Sequence, residues 1–99
     1  MEPTKIKTSI AHRVENMIRC KWSLHILGLI RRGIRRPGAI ERASPGLTTK
    51  VLNERLVKMV RFEILTKKVY PVSPPRVDYA LTPFGKRFIR ILDAIRRLD

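Results

Sequence analysis

Ser44-Pro45-Gly46-Leu47-Thr48-Thr49-Lys50-Val51-Leu52-Asn53, running on through Leu56 and Met59 to Phe62, is the stretch on which the fold turns. Ser44-Pro45-Gly46 breaks the chain sharply, and Thr48 carries the side-chain oxygen that a helix N-cap needs. From Thr49 to Phe62 the apolar residues Leu52, Leu56, Met59 and Val60 recur at helical spacing, and Thr49, Lys50, Asn53 and Lys58 are left on the other side. Just upstream, Pro37 to Ala43 reads as a brief helix with Ile40 and Ala43 turned inward. A short helix, a glycine-containing turn and a second helix with a polar outer face make the helix-turn-helix pattern.

Working toward the N-terminus, Gly33 ends a helix expected over Lys21 to Arg32. Its apolar residues Trp22, Leu24, Ile26, Leu27, Leu29 and Ile30 point in several directions, so it should form the buried centre of the core. Ile34-Arg35-Arg36-Pro37-Gly38 then reads as a short strand and turn. Before these, Ile10, Val14, Met17 and Ile18 fall on one face of a first helix, with Ser9 placed to cap it. Residues 1–8 form a short basic lead.

Downstream, Ile64 to Tyr70 and Arg76 to Leu81 read as extended segments. The second alternates, with Val77, Tyr79 and Leu81 on one face and Arg76, Asp78 and Ala80 on the other. Pro71-Val72-Ser73-Pro74-Pro75 joins them as a stiff tip, because proline fixes its own backbone and restricts the residue before it. Thr82-Pro83 is a cap followed by proline at the first helical position. The last helix aligns Phe84, Phe88, Ile91, Leu92, Ile95 and Leu98 on one stripe. The domain is therefore mainly α with a small β-hairpin: a single unit over 1–99, with its outward-facing helix at 48–62, a hairpin at 64–81 and a closing helix at 82–99.

Composition narrows the chemistry. The 99 residues hold 22 Lys plus Arg against 8 Asp plus Glu, a net charge of +14, with an ordinary 43% of hydrophobic residues. Such charge repels itself in a compact state unless an anion is near, and nucleic acid is the usual one. A chain of this length buries roughly two-thirds of its unfolded surface, so its own core is marginal and a second copy would help. The single Cys20 allows no internal disulfide. Met1 to Ile10 lacks the apolar run of a signal peptide, and no stretch is long enough to span a membrane, which makes the cytoplasm the expected compartment. His12, His25 and Cys20 make no metal spacing, and no phosphate-binding glycine loop or carboxylate pair is present. The expectation is neither enzyme nor metal nor cofactor.

The second helix of a helix-turn-helix fits the major groove and presents its N-terminal residues to base edges. Here these are Thr48, Thr49, Lys50 and Asn53, with Lys58 further along. Asn can bond adenine twice, Lys can reach guanine or phosphate, and Thr can touch a thymine methyl group. The bland alternative is a solvated helix face. The hairpin brings Lys67 and Lys68 before its tip and Arg76 after it, suited to the backbone or the minor groove. Alternatively the lysines guard an edge strand, and Arg76 pairs with Asp78. Cys20 reads as a small packing residue and Trp22 as a core anchor. Two other uses of the charge stand beside sequence-specific reading of double-stranded DNA. One is a non-specific architectural DNA- or RNA-associated protein, and the other is a membrane-surface binder using the last helix.

The chain resembles the HxlR-type winged helix-turn-helix transcriptional regulators. The resemblance lies in Lys21-Trp22, in Pro45-Gly46-Leu47-Thr48-Thr49-Lys50-Val51-Leu52 with Arg55-Leu56, and above all in Pro74-Pro75-Arg76-Val77-Asp78-Tyr79-Ala80-Leu81-Thr82 with Gly85. It implies a homodimer held by the N- and C-terminal helices, with operator contacts from Thr48, Thr49, Lys50 and Asn53 and backbone contacts from the wing. Three features depart from the pattern. Ser9 stands where many relatives have a sensing cysteine, and Cys20 stands where glycine is usual, so redox sensing does not carry over. Val60-Arg61-Phe62-Glu63 replaces an acidic, glycine-ended close of the recognition helix, and Pro37 replaces an aromatic residue. The effector is left open.

Overall fold

The computed structural model describes residues 8–99; most of the basic lead, and with it most of the segment read as lacking a signal peptide, lies outside them. The elements run α1 (Ile10–Arg19), α2 (Ser23–Arg31), α3 (Pro37–Arg42), α4 (Thr49–Arg61), β1 (Leu65–Tyr70), β2 (Arg76–Leu81) and α5 (Pro83–Arg96). Three helices start with the hydroxyl cap expected of them. Ser9 accepts from His12 N–H, Thr48 from Val51 N–H and Thr82 from Gly85 N–H. One core joins Met17 of α1, Ile26, Leu27 and Ile30 of α2, Ile40 of α3, Leu52, Leu56 and Met59 of α4, Leu65 and Tyr79 of the hairpin, and Phe88 and Leu92 of α5. The strands pair antiparallel with Leu65 opposite Leu81 and Tyr70 opposite Arg76.

Four expectations need correction. The Lys21-Trp22 pair precedes α2 instead of opening it: Trp22 is the N-cap, at φ 78°. No strand forms at residues 34–38. The Ile34 N–H is already spent on Leu29 O at the end of α2, and Pro37 has no N–H to give, so a single bond from Tyr79 N–H to Arg35 O (2.9 Å) is what remains of the pairing. Ala43 is exposed, because α3 closes at Arg42. Buried Ser44 turns inward in its place, donating to Ile40 O at 2.6 Å and meeting His25 Nε2 at 2.8 Å. The stripe of α5 is split. Phe88, Ile89 and Leu92 are buried, whereas Ile91 (43% exposed), Ile95 (38%) and Leu98 (85%) stay open.

Two helix ends share one geometry with different residues. After α2, Gly33 at φ +100° gives its N–H to Ile30 O, and Ile34 N–H reaches Leu29 O. After α4, Glu63 at φ 65° gives its N–H to Val60 O, and Ile64 N–H reaches Met59 O, with both Met59 and Ile64 fully buried. This is the left-handed cap that glycine makes cheaply and a side chain with a Cβ makes at a cost. The same joint carries α5. Thr82 Oγ1 donates to Glu63 O (2.6 Å), and a Cβ on Gly85 would stand 2.1 Å from Ile64 O. Only glycine lets the first turn of α5 lie that close to the chain leaving α4.

Replacing Glu63 by glycine should therefore stabilise the protein by about 1 kcal/mol, raising its melting midpoint by about 4–8 °C at fixed protein concentration. An unchanged or lowered midpoint in calorimetry would contradict the strain at Glu63. Gly85→Ala should cost about 3 kcal/mol or more, since backbone instead of a flexible side chain must give way. Denaturant midpoints within about 0.5 kcal/mol of the parent would show that the approach is not tight.

Candidate nucleic-acid interface

Helix α4 sits with Leu52, Leu56 and Met59 against the core, which leaves Thr49, Lys50, Asn53, Glu54, Val57 and Arg61 exposed on its far side. The unbonded N–H groups of its first turn lie at the same end as Thr48, Thr49 and Lys50, so helix dipole and side-chain charge add there. Thr48 is exposed, but its oxygen is engaged in the cap with Val51 N–H (3.2 Å). Thr49 Oγ1 is held by Glu41 Oε2 of α3, so it presents its methyl group more freely than its hydroxyl. Lys50 and Asn53 are open and make no side-chain hydrogen bond or ion pair among the described residues. With Glu54, which is likewise exposed and without a side-chain partner among the described residues, these two are the free polar groups of the N-terminal half of the helix, and they are the hydrogen-bond donors among the three.

Lys58 is placed differently from the rest of the expected set. It is half-buried, and its Nζ lies 3.6 Å from Cys20 Sγ at the end of α1. Cys20 thus has a cation beside it, and its thiol also donates to Asn16 Oδ1 at 3.3 Å. In the hairpin, Lys67 lies opposite Tyr79 and Lys68 opposite Asp78, so these exposed neighbours lie on opposite faces of the ribbon. Lys68 stands over the Tyr70 ring at 5.5 Å. Arg76 pairs with Asp78 through Nε and Nη2, both at 3.3 Å, and its guanidinium lies 4.7 Å from the Tyr70 ring centre. The pairing left open in the sequence is formed, and it holds Arg76 in place with its side chain still exposed.

Three contributors were not singled out from sequence. Val57 is 55% exposed on the outer face of α4, one turn beyond Asn53. Helical spacing puts it there, although its apolar type does not by itself mark a surface contact. Arg36 Nε reaches Asp78 Oδ1 at 3.7 Å, so one carboxylate joins the hairpin to the N-cap of α3. Buried Arg13 of α1 donates through Nη1 to Phe62 O at 3.2 Å and lies over the Phe84 ring at 5.2 Å. A cation at the last carbonyls of α4 satisfies an orphan acceptor and complements the dipole, worth up to about 2 kcal/mol in a partly buried setting. Nothing in local sequence marks Arg13, because its partner is 49 residues away.

An outward helix after a tight turn, sharing one core with the other helices and flanked by a two-stranded ribbon, is the winged helix-turn-helix arrangement. The HxlR-like helix-turn-helix family model matches residues 17–98, and the chain belongs to that family. It is 38% identical over 85 residues to the HTH-type transcriptional regulator sll1512 of Synechocystis, covering 86% of this chain and 63% of that one. It is also 38% identical over 80 residues to an HTH-type transcriptional regulator of Methanothermobacter thermautotrophicus, covering 81% and 61%. The chain thus spans a little over three-fifths of the length of these two relatives. Among solved structures, a MarR-family transcriptional regulator from Enterococcus faecalis superposes with a TM-score of 0.81 at 29% identity, covering 98% of this chain and 88% of that one. The redox regulator HypR in its reduced form gives 0.79 at 26% identity, covering 90% and 88%.

The Asp78 carboxyl is held below its ordinary pKa, chiefly by its hydrogen bonds from Arg76, with further help from the charges of Arg76, Arg36 and Arg35. A carboxyl depressed on folding contributes stability that is complete above its unfolded pKa and is lost as pH falls through the folded value. The brace between hairpin and α3 should therefore persist through neutral and mildly acidic pH and loosen only below the usual carboxylate range. Carbon-detected NMR titration of Asp78 checks this: the midpoint should lie below that of a free aspartate and return toward it in Arg76→Ala. A midpoint at the free value in the parent chain would contradict the brace.

Proposed function

We propose that the chain is a sequence-specific DNA-binding transcriptional regulator that acts as a homodimer in the cytoplasm, without catalysis. The observation that carries this reading is the open outer face of α4, where Lys50 and Asn53 have no side-chain partner among the described residues while the leucines behind them are buried. A helix presented in this way can enter a major groove and offer Asn53 to adenine, Lys50 to guanine or phosphate, and the methyl groups of Thr49 and Val57 to thymine. Lys67, Lys68 and the braced Arg76 supply backbone contacts, and Thr48 and the α4 N-terminus can receive a phosphate. Lys58, turned toward Cys20, takes the smallest part. The names of the relatives agree with this, and no helix of the described residues is long and apolar enough to cross a membrane.

Dimerisation is supported by the apolar side chains left uncovered on the two terminal helices, which pack against each other. Ile10 and Ile18 on α1 are 43% and 45% exposed, beside the open Ile91, Ile95 and Leu98 on and after α5. Two copies joined through these helices would carry two α4 faces, suited to half-sites about one helical turn apart. Ile91→Glu with Ile95→Glu should convert a dimer to a folded monomer in sedimentation at micromolar concentration. A parent chain that is monomeric there would refute the arrangement.

Selection of bound fragments from random DNA, followed by titration at physiological salt, tests the function itself. The chosen site should be pseudo-palindromic and favoured at least about a thousandfold over random duplex. Equal affinity for all duplexes would instead identify an architectural protein that binds through charge alone. On the selected site, Asn53→Ala should cost about 1–3 kcal/mol and relax preference at one position of each half-site. Lys67→Ala and Lys68→Ala should weaken all sequences alike and lower the salt slope by about one per lost phosphate contact. If Asn53→Ala weakened every sequence equally, Asn53 would not be a base-reading residue.

A further inference from the structure

Away from α4, an open cavity of about 690 Å3 lies between α2, β2 and α5, and no residue of α4 lines it. Its floor is apolar, made by buried Ile30 and Ile89 with half-buried Ala80 and Leu81. Its rim is cationic: Arg31 and Arg35 stand on one side, and Lys86 and Arg90, one helical turn apart on α5, on the other. The single carboxylate of the lining, Asp93, is already taken by Arg31 at 2.8 Å. Arg35, Lys86 and Arg90 make no ion pair among the described residues; Asp78 feels Arg35 only as a more distant charge, so three like charges line one hollow whose own carboxylate is already engaged.

Charge on a protein this basic is common, but its shape here is not that of a backbone contact. A duplex presents a convex ridge of phosphates and gains nothing from a recessed hydrocarbon floor, and a bare inorganic anion would leave that floor wet. A recess of about this size with an apolar base and a few convergent polar groups is what small-molecule sites have in common. Guanidinium groups suit both a carboxylate, through paired N–H donors, and the face of an aromatic ring.

We propose that this cavity is a binding site for a small aromatic carboxylate. Its charged group meets Arg35, Lys86 and Arg90, and its ring system lies on Ile30, Leu81 and Ile89. Such a ligand bridges α5 to the root of the hairpin, because Arg35 also holds β2 through its carbonyl and Tyr79 N–H. The site is independent of any reading of DNA by α4.

The probe is 2-naphthoate, titrated into the full chain by calorimetry and followed by methyl NMR. The expected result is saturable binding in the micromolar-to-millimolar range, with the largest shifts at the methyl groups of Ile30, Leu81 and Ile89. The neutral 2-naphthamide should bind at least tenfold more weakly, and Arg35→Ala or Arg90→Ala should each weaken naphthoate about tenfold or more. Both arginines are exposed, so circular dichroism should show the variants folded; Lys86→Ala provides a second folded variant with the same expected direction. Absence of binding at millimolar probe would overturn the proposal. So would shifts confined to the open apolar residues of α1 and α5, or inorganic phosphate displacing the naphthoate at equal concentration, or affinity unchanged in both arginine variants.

Discussion

The joint where α4 ends, the hairpin begins and α5 starts constrains everything else in the molecule. Ile64 closes α4 through Met59 O and accepts at its own carbonyl from Thr82 N–H at 3.0 Å, while the first turn of α5 lies against that carbonyl where only Gly85 fits. Thr82 Oγ1 adds a bond to Glu63 O. The direction of α4, the root of the ribbon and the start of α5 are thus fixed by the same few atoms. Arg13 fastens α1 to this point through Phe62 O and Phe84. The helix offered outward and the helices available for pairing are set together, and a disturbance at either would be felt at the other.

Much of this was legible in the sequence, and for stated reasons. Hydroxyl residues before apolar periodicity marked the starts of α1, α4 and α5, and strict alternation marked β2, because caps and burial act over a few neighbouring residues. The order of elements and the inward side of α4 followed from the same signals. What was missed depends on partners distant in the chain or on hydrogen bonds already spent. Ile34 looks like a strand residue, but its N–H is consumed in closing α2. Trp22 looks helical by its neighbours, yet it adopts the left-handed region as an N-cap. The stripe of α5 reads as one face, although the domain's own core takes only part of it.

The candidate site divides along the same line. Lys50 and Asn53 were legible because one helix determines which way they face. Lys58 was not, because it meets Cys20, 38 residues away at the end of α1, and neither were Arg13 and Arg36, whose partners are a remote carbonyl and a carboxylate in the hairpin. Lys67 and Lys68 look equivalent in sequence but occupy opposite faces of the ribbon once the register is fixed. Glu63 is the residue where the sequence most clearly works against the local geometry, and the buried Met59–Ile64 contact beneath it shows why the turn persists.

Reading of DNA depends on the outward side of α4 meeting the duplex, and backbone amide NMR of the chain bound to a selected duplex measures that contact directly. The largest shifts are expected along Thr49 to Val57, with smaller ones in the hairpin. Shifts confined to α1, α5 or the cavity beside Arg90, with the α4 amides unmoved, would contradict that contact.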